Sequence, residues 1–206
     1  MKSQINLIRH GITVGNQKRY CYGASDIPLA PEGVEELQLL RDQGLYPSAE
    51  GVDFYTTGMH RTEQTLQLIY GEREHEQLPD LAEMNFGEFE MKTHEELKAL
   101  AAYQDWSSDR TGEVATPGGE SFAGFHRRIQ AGFKELVGKH RLKELSVRHC
   151  GADAISTLVC HGGTIGAIME QHFPGLKEHF YKWVPDPGHG YVLILEKGDI
   201  IEYRRF

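Results

Sequence analysis

The sequence predicts an α/β fold: a three-layer sandwich whose mostly parallel central sheet is closed by an antiparallel edge strand. Two observations carry this expectation. Short apolar or β-branched runs alternate with longer amphipathic stretches, the pattern of strands connected through helices. Near the C-terminus two such runs are separated only by a tight turn, which makes them antiparallel neighbours.

In chain order, Ile5–Ile8 is the first strand, followed at once by Arg9-His10-Gly11. Leu29 to Gly44 reads as a helix, with Pro31 suited to its first turn and Gly44 to its end. Val52–Thr56 is a second strand, and Thr57-Gly58 is expected to open a helix running to Tyr70 and Gly71. Thr93 to Tyr103 reads as one helix, with Thr93 and Glu96 as a capping box. Ser121 to about Lys143 is the longest helix. Ile155–Cys160 is a strand, His161-Gly162-Gly163 follows it, and Thr164–His172 is helical. Tyr191–Glu196 and Ile200–Tyr203 form the last two strands around a Gly198-Asp199 turn. Residues 1–206 are expected to form a single domain, with a small insertion at about 91–116 and a turn-rich stretch at Val184–Gly190.

Composition narrows the function. With 39% apolar and 25% charged residues among 206, the chain is ordinary globular material. Lys and Arg total 22 against 30 Asp and Glu, a net charge of −8, so a general nucleic-acid or membrane surface is not expected. An anionic small molecule would need a local basic pocket. Cys21, Cys150 and Cys160 are too few and too scattered for a disulfide framework or a thiolate metal site. Met1–Gln4 runs into an apolar stretch with polar interruptions, without the long apolar core of a secretion signal, so a cytoplasmic protein is expected.

The candidate pocket lies at strand ends. His10 and His161 each follow an apolar strand and precede a glycine, which directs both rings to the crevice beyond the strand C-termini if the strands are adjacent. Arg61, early in the helix after the second strand, belongs to the same edge. Arg9, Arg61 and two histidines at a helix N-terminus form an anion site, and the planar guanidinium is matched to phosphate oxygens. Taken singly, a histidine after a strand is more often a hydrogen-bonded boundary residue, and Glu83 a solvated loop carboxylate. A metal site is not expected: no HExxH or HxH occurs, and the histidines are spread from His10 to His189.

Arg9-His10-Gly11-Ile12-Thr13-Val14-Gly15-Asn16 resembles the RHGxTxxN signature of the histidine phosphatase superfamily, which includes phosphoglycerate mutases. Gly23 to Leu29, with Gly33, resembles GxxDxPLTxxG. Thr57 to Thr65 resembles SxxxRxxxT, with Thr57 in the serine position. Leu81 to Glu90 is similar to LxExxxGxWEG, and Pro117-Gly118-Gly119-Glu120-Ser121 and His161-Gly162-Gly163 complete the order. The set is most similar to small bacterial-type members such as α-ribazole phosphatases or broad-specificity phosphatases.

The resemblance implies a phosphoglycerate mutase-like fold and a catalytic set of His10, Glu83, Arg9, Arg61 and His161. His10 would be the nucleophile, its other nitrogen's proton held by a backbone carbonyl. Arg9, Arg61 and a protonated His161 would bind phosphate oxygens, with Asn16 and the Gly162 N–H as further donors. Glu83 would be the proton shuttle. The implied function is metal-independent hydrolysis of a small phosphorylated metabolite through a phosphohistidine, with no cofactor and no nucleic-acid or membrane partner. The alternatives are a cofactor-dependent phosphoglycerate mutase and a non-catalytic module binding a phosphorylated ligand. Mutases usually carry a longer insertion with paired arginines, whereas Met91–Thr116 contains only Lys92, Lys98 and Arg110. Several departures leave the phosphoryl-transfer set intact and bear on specificity: Gly166 where many relatives have arginine, Pro187–Gly190, Phe89 for tryptophan, and Met91 for glycine. In the insertion, Leu97, Leu100 and Tyr103 read as the buried face of a short helix; the alternative is a lid whose aromatic residues, Tyr103 and Trp106, contact the leaving group.

Overall fold

The computed structural model describes residues 3–206. β1 (Ser3–Arg9) leads into α1 (Val14–Lys18) and the short β2 (Tyr20–Cys21). α2 (Pro31–Asp42), β3 (Val52–Thr56), α3 (His60–Tyr70) and β4 (His75–Gln77) follow. Next come β5 (Lys92–Thr93), α4 (His94–Leu97), α5 (Ala101–Ser108) and the long α6 (Phe122–Val147). β6 (Ala154–Cys160), α7 (Gly162–His172), β7 (Gly190–Glu196) and β8 (Asp199–Arg205) complete the order. Single 3-10 turns occupy Pro79–Leu81, Gly87–Phe89 and Phe180–Lys182.

The main sheet has the order β4-β3-β6-β1-β7-β8. β4, β3, β6 and β1 run parallel; β7 is antiparallel to β1, and β8 to β7. β1 is therefore central, held by β6 on one side and β7 on the other. Its Ile5, Leu7 and Ile8 are fully buried, and the interior Asn6 donates through Nδ2 to Thr157 Oγ1 at 2.9 Å. On one face Ile5 and Leu7 pack with Phe125, Ile129 and Phe133 of α6 and Ile165 of α7. On the other, Ile8 and Val159 pack with Leu37 of α2 and Leu66 and Ile69 of α3. Helices thus cover both faces, giving the three layers the alternation predicts. A two-stranded antiparallel sheet of β2 and β5 stands apart.

Both sheet edges are polar. β4 is three exposed residues, His75, Glu76 and Gln77, and β8 presents Glu202, Arg204 and Arg205.

α2 is two residues shorter at each end than expected and α7 starts two residues earlier; four further boundaries also differ. α3 starts at His60 rather than Thr57, because Gly58 sits at φ +79°, outside helical space. The expected Thr93–Tyr103 helix is broken: the Thr93–Glu96 capping box forms, but Leu100 is extended and α5 starts afresh. Residues six apart on a continuous helix point about 120° away from each other, whereas the break lets Leu97 and Tyr103 join Phe89 in one small core. Leu100, expected on that buried face, is exposed. α6 continues four residues past Lys143. The last hairpin turns on Lys197-Gly198, at φ 54° and 85°, with Asp199 already paired to Glu196. That is the geometry a two-residue turn needs to follow strand twist.

Candidate active site

Register places the two histidines. β1 and β6 pair Arg9 with Cys160, so His10 and His161 leave the sheet side by side, with ring centroids 5.3 Å apart. β3 flanks β6 on the other side, pairing Thr56 with Val159, so Thr57 emerges next to His161. The first turn of α3 then returns Arg61 to the same place. His10, Arg61 and His161 are all buried.

The two imidazoles are held in opposite tautomers. His10 Nδ1 lies 2.7 Å from Gly11 O, so Nδ1 carries the proton and Nε2 keeps its lone pair. Arg61 Nε donates to His161 Nδ1 at 3.2 Å, which leaves the proton on Nε2, donated to Thr57 Oγ1 at 2.9 Å. Burial pushes His10 well below the usual histidine range, and the charges of Arg61 and Arg9 push it further. Burial, then Arg61, His10 and Arg9, does the same to His161. Without phosphate, these groups favour the neutral form of His161; the protonated form expected of it belongs to the phosphate-bound site. Its Nδ1 is an acceptor, and two guanidinium charges stand close by.

Arg61 is fixed at all three nitrogens, donating also to Ser25 O at 2.9 Å and Gly23 O at 2.7 Å, with its plane 5.2 Å from the Tyr22 ring. Arg9 donates through Nη1 to Pro185 O at 2.6 Å, while its Nε is buried with no partner. Glu83 accepts from Met84 N at 3.0 Å and from Gly163 N at 2.8 Å. Burial raises its carboxyl above the ordinary glutamate value, against the pull of those two N–H groups and of Arg61 and Arg9. Asn16 lines the cleft; its Oδ1 accepts from Thr13 N and Oγ1 in the α1 cap, so the amide nitrogen is the end left for the cleft. Gly162 lines the cleft at the N-terminus of α7, whereas the next N–H, of Gly163, is committed to Glu83.

A supporting set escaped sequence reasoning. Glu90 accepts from the backbone N–H groups of Gly23, Ala24, Ser25 and Phe86. It thereby shapes the loop whose carbonyls grip Arg61. Arg128 donates to the carbonyls of Asp80, Ala82 and Glu83 and pairs with Glu120 at 2.8 Å, bracing the Glu83 loop against α6. Gly23 is glycine of necessity, since a β-carbon there would sit 1.8 Å from Met84 O. Glu90 and Glu120 fall inside the quoted motifs, so their positions were marked but not their partners. Thr57 was marked only as the first residue of its motif, and Tyr22 carried no signal beyond residue type.

Arg9, His10, Asn16, Arg61, Glu83 and Gly162 line a cleft of about 880 Å³ together with Phe86, Tyr103, Trp106, Phe122, Phe180 and Tyr181; His161 stands behind His10 and does not line it. Tyr103 is buried, as the helix-face reading expects, and also lines the cleft. Among the described residues no group of three or more His, Cys, Asp or Glu side chains is placed to hold a metal ion. Chemically the floor offers a neutral nitrogen lone pair, two fixed guanidiniums and a carboxyl whose proton is retained above its ordinary range.

Comparison with known proteins agrees with this geometry. Residues 5–201 match the family model described as histidine phosphatase superfamily, branch 1. Adenosylcobalamin/alpha-ribazole phosphatase of Escherichia coli K12 is 31% identical over 153 residues, covering 70% of this chain and 72% of that protein. Phosphoglycerate mutase-like protein 4 of Arabidopsis thaliana is 25% identical, covering 85% and 74% respectively. The crystal structure of a candidate alpha-ribazole-5'-P phosphatase from Escherichia coli K-12 superimposes with a TM-score of 0.81 at 21% identity, covering 100% of this chain and 96% of that one.

Proposed function

The chain belongs to the histidine phosphatase superfamily, and from that premise we propose that it is a metal-independent phosphatase hydrolysing a small phosphomonoester through a phosphohistidine on His10. The observation that carries this reading is the orientation of His10: Nδ1–H is locked on Gly11 O, leaving Nε2 as the free nucleophile between Arg9, Arg61 and His161.

In the first step His10 Nε2 bonds to phosphorus while the bond from phosphorus to the ester oxygen breaks, and Glu83 gives that oxygen its proton. Burial suits Glu83 to the task by keeping the proton on at higher pH. Arg61 uses three of its five N–H donors on Gly23, Ser25 and His161, so two remain for equatorial oxygens. The unpartnered Nε of Arg9 suits the same charge. A phosphate dianion between these groups favours the protonated form of His161, which would then add a second donor. In the second step Glu83 takes a proton from water, the water oxygen bonds to phosphorus, and the bond to His10 breaks, releasing inorganic phosphate. Asn16 and Gly162 add neutral donors at the rim.

The cation inventory favours hydrolysis over mutase chemistry, which must also grip a substrate carboxylate. Of Lys92, Lys98 and Arg110, only Arg110 lines the cleft. We place the enzyme in the cytoplasm, in keeping with three free cysteines and, among the described residues, no helix long and apolar enough to cross a membrane.

Rapid quench with labelled substrate tests the core of the proposal. The wild type should yield an acid-labile, base-stable phosphoenzyme, and His10→Ala none. Equal labelling of both proteins would remove His10 as nucleophile.

A further inference from the structure

Tyr22 takes no part in the two steps above, yet its contacts tie it to two groups that do. It is buried and borders the cleft. Its ring packs on α1, where a β-carbon at Gly15 would lie 2.6 Å from Cε1 and 2.7 Å from Cδ1. The Arg61 guanidinium stands over the same ring at 5.2 Å from its centroid. Its hydroxyl lies 2.7 Å from Oγ1 of Thr13, the N-cap of α1.

The protons of that cap run in one direction. Thr13 has a single hydroxyl proton, and it goes to Asn16 Oδ1 at 3.1 Å. The 2.7 Å bond is therefore donated by the phenol. Burial keeps the proton on the phenol, raising Tyr22 above its ordinary range against the pull of Thr13, Arg61 and Arg9. Thr13 Oγ1 also accepts the Asn16 N–H at 3.2 Å, so its oxygen is fully used. Asn16 Oδ1 collects both the hydroxyl and the backbone N–H of Thr13, which leaves the amide nitrogen for the cleft.

Arg61 needs a different kind of support. All its N–H groups lie in the guanidinium plane, so its bonds to Gly23 O, Ser25 O and His161 Nδ1 resist sliding within that plane. They resist tilting out of it less well. The aromatic face supplies that restraint, and its attraction for a cation is greater where both groups are desolvated, as here.

We propose that Tyr22 is a positioning residue of the phosphate floor: its ring holds Arg61 against tilting, and its hydroxyl, through Thr13, holds the Asn16 amide toward the cleft. This rests on the phosphatase reading above for the identity of the ligand as phosphate.

The test is the affinity of wild type and variants for inorganic phosphate, with p-nitrophenyl phosphate kinetics alongside. Tyr22→Phe removes the hydroxyl and keeps the ring, so phosphate should bind about 3- to 10-fold more weakly, the worth of one hydrogen bond. In an Asn16→Ala background the same change should alter affinity less than about twofold, because nothing is left for the hydroxyl to position. Tyr22→Leu removes both parts and should weaken binding at least about threefold more, in either background. The Arg61 Nε–H should exchange slowly with water in wild type and Tyr22→Phe and faster in Tyr22→Leu. Tyr22→Phe decides the hydroxyl's role even if Tyr22→Leu misfolds. An undiminished effect of Tyr22→Phe in the Asn16→Ala protein would show the hydroxyl acting on the ligand directly or on the fold at large, and would overturn the relay. Equal affinity and equal Nε–H protection in Tyr22→Phe and Tyr22→Leu would overturn the support of Arg61. Failure to turn over any ester would overturn the phosphatase reading and leave the phosphate affinities to decide this proposal. A wild type that does not bind phosphate would overturn both.

Discussion

Replacing Glu83 by glutamine separates its chemical task from its structural one. The carboxylate accepts two backbone N–H groups, Met84 at 3.0 Å and Gly163 at 2.8 Å. A carboxamide has one accepting oxygen, so one of those donors loses its partner in Glu83→Gln. An unsatisfied buried donor costs about 1–3 kcal/mol. At about 2–4 °C per kcal/mol for a chain of this size, Tm should fall by roughly 2–12 °C. The catalytic loss is larger and depends on the leaving group. General acid catalysis is worth about 10²–10⁴-fold, so alkyl phosphates should slow by that factor. p-Nitrophenyl phosphate needs no proton on its leaving oxygen, so phosphorylation of His10 should persist. Dephosphorylation lacks its base, and stopped-flow should record a burst of nitrophenol followed by slow turnover. Equal slowing of burst and steady state for both ester types would refute Glu83 as the shuttle. Glu88, the next carboxylate in the motif, is exposed and outside the cleft, so it is a poor substitute.

Because burial and the two arginines hold His10 and His161 well below the ordinary range, both should stay neutral as pH falls through 6.5. Nitrogen-15 spectra should show Nδ1–H on His10 and Nε2–H on His161. The unfolded chain takes up those protons near pH 6.5 while the folded chain does not, so stability should fall as pH drops below that value. Denaturant melts giving higher stability at pH 5.5 than at pH 7.5 would contradict the assignment. Glu90→Gln should reduce kcat/KM about tenfold or more, since an amide group facing four N–H donors loosens the loop that holds Arg61; steady-state kinetics with unchanged values would show that Arg61 needs no such support. Activity should survive dialysis against chelator, because Arg9 and Arg61 supply the charge a metal would bring; loss restored by one particular metal would overturn the metal-free reading.

What the sequence made legible were features set by short-range pattern. The run Ile5–Ile8, the strand Val52–Thr56 and the Thr93–Glu96 cap each follow from neighbouring residues, and each forms. So did the strand-end positions of His10 and His161, once β1 and β6 are adjacent. What it could not supply was set by tertiary partners. The break at Leu100 exists because Phe89, outside the helical window, offers a small core to Leu97 and Tyr103. The neutrality of His161 depends on Arg61 donating across α3 to β6. β4 and β5 are too short and too polar for any periodicity to mark them. The roles of Glu90 and Arg128 lie in backbone groups they collect from other loops, and no side-chain pattern records those.

The central position of β1 bears on how the chain is made. Asn6 meets its partner Thr157 across 151 residues, and the other neighbour, β7, is later still. On a ribosome adding about 5–20 residues per second, the first strand therefore waits roughly 7–30 s, with Ile5, Leu7 and Ile8 uncovered, before either flank emerges. Nascent chains ending before residue 154 can pair β3 with β4 but cannot hold His10 in place. Activity consequently waits for β6, which begins at Ala154, and products of synthesis interrupted before it are inert and exposed to chaperones and proteases rather than partly active.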